Sequence, residues 1–142
     1  MDKGAVPPGL RSSRGISTIW RLAERSNLDG RAKRFRLYVI EISESSMFDF
    51  YVGQTSRKVE TRLAQHQSRQ GEQYAARIFR NGRGTALKLR YDLFEGLPYF
   101  TDKETAETAE GVLADIIEAQ LHARVECNAL RDRKRSRTYP SN

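Results

Sequence analysis

Two runs of strand-forming residues sit almost back to back, and their spacing restricts the fold more than any other feature of the chain. Phe35 to Ile42 (FRLYVIEI) is β-branched and aromatic, and Phe48 to Gly53 (FDFYVG) follows after the polar turn Ser43 to Ser46. So short a link makes the two an antiparallel hairpin, because a parallel pair needs a long crossover. Thr85 to Arg90 (TALKLR) alternates strictly and predicts a third strand. Helical spacing appears between and around these runs. Ile16, Ile19, Trp20 and Ala23 predict a short amphipathic helix ending near Asn27. A second helix is expected from about Arg57, with Thr55 or Ser56 as N-cap. Glu72 to Arg80 reads as helical, stopped by Asn81-Gly82, and Thr101-Asp102-Lys103-Glu104 fits a capping box opening a long helix to about Ala123. The expected class is α+β: a small three-stranded antiparallel sheet flanked by helices.

Length and charge bound what such a domain does. The chain has 142 residues, enough for one ordinary domain. Its 25 Lys+Arg against 18 Asp+Glu give a net charge of +7, and arginine supplies 19 of the 25 cations. The excess lies at the ends: residues 1–36 hold nine cations and three acids, and residues 124–142 hold six and two. Pro7-Pro8 with Gly4, Gly9 and Gly15 reads as a flexible arm. The expected division is therefore a basic arm with a short helix over 1–34, a core domain over 35–125 and a basic tail over 126–142. Basic ends rich in planar guanidinium groups are the electrostatic footprint of a nucleic-acid binder. No uncharged apolar run is long enough for a bilayer, so no membrane partner is expected. MDKGAVPPGLRSSRG lacks the apolar segment of a secretory signal, and the single cysteine, Cys127, can form no internal disulfide. A reducing, cytoplasmic setting is the expectation.

Polar residues fall where core residues should. On the helix from Arg57, Val59 and Leu63 define the inward stripe, with His66 on it and Arg62 at its edge. On the long helix, Ala106, Ala109, Leu113, Ile116, Ile117 and Leu121 form an apolar face, and Glu110 lies inside that face. Glu107, Asp115 and Glu118 project toward the polar side. A carboxylate on a core stripe requires a cation or a metal; Arg62 is a candidate ion-pair partner, and the pattern leaves both options open. Tyr38 and Tyr51 stand one on each hairpin strand. They share a face in one register and oppose each other after a slip of one residue.

Taken in order, these residues resemble the GIY-YIG endonuclease superfamily. Arg36-Leu37-Tyr38-Val39-Ile40 stands where the family has its Gly-Ile-Tyr motif, and Tyr51-Val52-Gly53, followed by Gln54-Thr55, stands at the second motif. Arg62 with His66 four residues on, and Glu110 with Leu113 three residues on, follow in the family's order. The resemblance covers about residues 35–125. Two departures stand out: Arg36 replaces the first glycine, and the late family asparagine has no secure match, Asn128 being the nearest.

The resemblance implies metal-dependent hydrolysis of phosphodiester bonds in nucleic acid, DNA in preference to RNA. It implies Glu110 as ligand of one Mg²⁺ or Mn²⁺ ion, Arg62 as phosphate contact and Tyr38 as base for the attacking water. Tyr51 and His66 would orient that water or assist proton transfer, and Gly53 would permit close approach of the backbone. Arg83 and the tail cations Arg131, Arg133, Lys134 and Arg135 are the expected substrate contacts. With no room for a large recognition domain, specificity would come from the arms, a homodimer or a larger complex. The competing expectation is a nucleic-acid-binding module that keeps the fold and does not cut.

Overall fold

The hairpin forms the centre of the molecule, a computed structural model that describes residues 4–26, 33–68, 76–80 and 82–127. Strand β1 (Phe35–Ile42) pairs antiparallel with β2 (Phe50–Thr55), Tyr38 opposite Gly53 and Ile40 opposite Tyr51. On the other side of β1, β3 (Ala86–Leu89) pairs through Ile40↔Leu89, and β4 (Tyr99–Phe100) pairs through Phe35↔Phe100, both antiparallel. Beyond β2, β5 (Val125–Cys127) runs parallel to it, with Phe50 opposite Val125. The sheet is thus mixed and five-stranded rather than three antiparallel strands. The two added strands have two and three residues, too few to leave a readable alternation. The class is α+β.

Leu37 to Ile40 and Phe50 to Gly53 are buried without a break, so both faces of the central strands are covered. The covering helices are α1 (Arg14–Ser26), α2 (Val59–Gln67), the single turn α3 (Arg77–Arg80) and α4 (Lys103–Leu121). Helix α4 packs on β2, β5 and β1, α1 packs on α4, and α2 lies on β3 and β1. At the α1–α4 contact, a side chain on Gly15 would come within 2.6 Å of Ile116 Cγ1.

Several local expectations shift. Residues 4–13 are no flexible arm: the Trp20 indole donates to the Ala5 carbonyl at 3.0 Å, the Gly9 amide donates to the Asp92 carbonyl at 2.6 Å, and Leu10 is buried. The α4 cap lies one residue later than expected, with Asp102 Oδ1 accepting from the Thr105 amide at 2.7 Å. Helix α2 begins at Val59 without a side-chain cap, because Thr55 Oγ1 instead accepts from the Arg57 amide at 3.0 Å and tightens the turn before it. Of the helix expected over Glu72 to Arg80, Arg77–Arg80 is helical, while residues 69–75 and Asn81 lie outside the described residues. Glu126 and Cys127, expected at the start of the tail, belong to the sheet as part of β5. Asn128, Arg131, Arg133, Lys134 and Arg135 lie outside the described residues. Among the described residues no helix is long and apolar enough to cross a membrane.

Candidate active site

The hairpin register puts the two tyrosines on one face. Tyr38 faces Gly53 and Tyr51 faces Ile40, so the phenols are diagonal neighbours with ring centroids 6.2 Å apart. Gly53 is the residue that permits this. A Cβ there would fall 2.5 Å from Tyr38 Cζ and against its hydroxyl, so the tyrosine ring occupies the space a side chain would need. The close approach at Gly53 is therefore made by Tyr38.

His66 reaches the same phenol from α2, with Nε2 2.9 Å from the Tyr38 hydroxyl. Its other nitrogen, Nδ1, is 3.0 Å from the backbone amide of Ala76. A backbone N–H can only donate, so Nδ1 is unprotonated and Nε2 carries the ring proton. His66 accordingly donates to Tyr38 and is not placed to take its proton. Burial, aided by the nearby Arg62 charge, pushes the imidazole down to about 3, which keeps this neutral tautomer across the physiological range. The Tyr51, His66 and Phe79 rings pack with centroids 5.0–5.5 Å apart and hold the imidazole in place.

Arg62, one turn before His66, acts with its charge on the Tyr38 phenol and donates through Nη1 to Gln65 Oε1 at 2.9 Å. Glu110 comes from α4, where it is only 1% exposed, inside the apolar face where helical spacing had set it. Its charge acts on both phenols. Burial pushes Tyr38 well above the usual phenol range; Arg62 opposes that shift and Glu110 adds to it. Tyr51 is raised likewise, by burial and then by Tyr38. Tyr38, Tyr51, Arg62, His66 and Glu110, scattered over 73 positions of sequence, thus form one electrostatically coupled cluster.

Arg62 also lines an open cleft of about 440 Å³ at the Phe35 end of the hairpin. Three further cations border it, Lys33, Arg57 and Lys103, and among the described residues no carboxylate does. Gln54 and Gln65 add amides, and Phe35 adds an aromatic ring. Gln54 Oε1 is buried with no hydrogen-bond partner among the described residues. Sequence reasoning missed Lys33, Arg57 and Lys103 as a group. The available signals were the Arg57-Lys58 pair, which begins four residues after Gly53, and a lysine opening the long helix. Arg83 is exposed next to Gly84, which packs against Ile42 and Ser46 at the opposite end of β1, and it does not border the cleft.

Among the described residues no three of His, Cys, Asp and Glu converge as a metal cage. Glu110 supplies one buried carboxylate whose charge reaches both phenols, an oxygen ligand of the kind a hard divalent ion would take together with water and phosphate. Compared with family models, curated proteins and solved structures, the chain matches none.

Proposed function

We propose that this chain is a metal-dependent endonuclease of the GIY-YIG type, hydrolysing phosphodiester bonds in nucleic acid, DNA in preference to RNA. One observation carries the reading: Tyr38, Tyr51, Arg62, His66 and Glu110 converge, and Arg62 alone among them opens into a cationic cleft. Arg62 would bind the non-bridging oxygens of the scissile phosphate, where negative charge grows in the transition state. His66 Nε2–H donates to the Tyr38 oxygen and the Arg62 charge acts on it, both favouring its phenolate against the burial that opposes it. The phenolate would take the proton of the attacking water, and Tyr51 would fix the direction of approach. Glu110 would hold one Mg²⁺ or Mn²⁺ ion, which when bound supplies charge neutralisation at the phosphate and the leaving oxygen.

The direct test incubates the protein with supercoiled plasmid, branched DNA and RNA, each with Mg²⁺, Mn²⁺ or EDTA. Metal-dependent nicking or cutting that EDTA abolishes is expected. Binding with no cleavage of any substrate would favour the second reading, a non-catalytic nucleic-acid-binding module. A specific observation speaks for that alternative: Tyr38 and Glu110 are each 1% exposed, as members of a satisfied structural network would be.

A further inference from the structure

The cleft beside Arg62 has a chemistry of its own. Its four cations come from three separate stretches of chain: Lys33 before β1, Arg57 and Arg62 around the start of α2, and Lys103 at the first turn of α4. The positive end of the α4 dipole adds to their field at Lys103. An anion is therefore the expected occupant, and guanidinium groups select phosphate geometry. An inorganic anion would leave two features unused. Gln54 borders the cleft with an amide, and Phe35 offers an apolar ring. A base or sugar carries hydrogen-bonding edges and a flat apolar face. The volume, about 440 Å³, falls within the range of about 300–1,000 Å³ of small-ligand sites.

Resting on the nuclease reading above, we infer that this cleft seats the nucleotide flanking the scissile phosphate, with that nucleotide's own phosphate on Arg57, Lys33 and Lys103 and its base or sugar against Gln54 and Phe35. Arg62 joins the two places because its charge acts on Tyr38 and its side chain borders the cleft. Phe35 lies three residues from Tyr38 on β1, roughly 10 Å along the strand and on the opposite face by the strand's alternation, so the cleft lies around the end of the sheet and Arg62 links it to the phenol. The substrate class is thus a strand that continues past the cut with an intact phosphate, in preference to a terminal ester.

Calorimetric titration of the full chain in EDTA reads binding without chemistry, with inorganic phosphate, thymidine 5′-monophosphate and thymidine 3′,5′-bisphosphate as probes. The bisphosphate should bind tightest and inorganic phosphate weakest. Arg57→Ala with Lys103→Ala, both exposed positions, should weaken the bisphosphate by about tenfold or more, whereas Arg21→Ala, an exposed cation on α1 that does not border the cleft, should leave it unchanged. Gln54→Leu should weaken both nucleotides and spare inorganic phosphate. Bisphosphate affinity unmoved by the double variant, or equal affinity for all three probes, would overturn the inference. Because no cleavage is measured, nucleotide binding that survives while every substrate stays uncut would sink the nuclease reading and leave the nucleotide site standing.

Discussion

Gly53 and His66 show how single residues set the cluster. Any side chain at Gly53 would displace the Tyr38 ring, so Gly53→Ala is an overpacking change in a buried sheet. It should lower unfolding stability by about 1–3 kcal/mol in chemical denaturation, and cleavage should fall further than stability alone explains. His66 makes a separate prediction. Its folded imidazole is pushed down to about 3, below the ordinary value of 6.5 that it regains on unfolding. Between those values the unfolded chain binds a proton that the folded chain does not, so acidification favours unfolding. The stabilising contribution is complete above about pH 6.5 and fades as pH falls toward about 3. Urea melts at pH 7 and pH 4 should show wild type losing more stability than His66→Gln over that interval. Equal losses would mean that His66 already titrates normally in the fold. The pH–rate profile of cleavage should likewise lack an inflection near 6.5, since a donor to Tyr38 does not lose a proton there.

At the scale of elements, legibility followed length and locality. β1 and β2 were readable because their β-branched and aromatic runs are six residues or longer and joined by a short turn. Glu110 was readable because α4 spans 19 residues, long enough for one polar position inside an apolar face to stand out. β4 and β5 were not, since two or three residues carry no period and their partners are distant in sequence. The docking of residues 4–13 was equally hidden, because it rests on backbone carbonyls of Ala5 and Asp92, whose partners leave no mark in the pattern of side chains. Arg57 and Lys103 were visible as cations, but their convergence depends on where α2 and α4 begin. The α4 start is testable through its cap. Asp102→Ala removes the acceptor for the Thr105 amide and should cost about 1 kcal/mol in a thermal or urea melt, with Asp102→Asn restoring most of it. A silent Asp102→Ala would mean that the first turn of α4 is held by packing alone.

For the whole molecule, an overall charge of +7 would favour a polyanion as partner, while the proposed chemistry depends on where individual charges sit. The acids of the long helix separate on this basis. Glu110 is buried with its charge on both phenols, and Glu118 lies eight residues on, about 12 Å along the axis, too far to share a metal shell. Glu110→Gln keeps the size of the side chain and removes the charge that a hard divalent ion requires. The most direct measurement compares wild type, Glu110→Gln and Glu118→Gln on one DNA substrate with Mg²⁺, Mn²⁺ or EDTA, beside a thermal melt of each protein. Glu110→Gln should keep its melt and its DNA affinity and lose cleavage by about 10²-fold or more, with at most partial recovery in Mn²⁺. Glu118→Gln should cut nearly as wild type does. A folded Glu110→Gln protein that cuts at the wild-type rate, or wild-type cutting that persists in EDTA, would contradict the account.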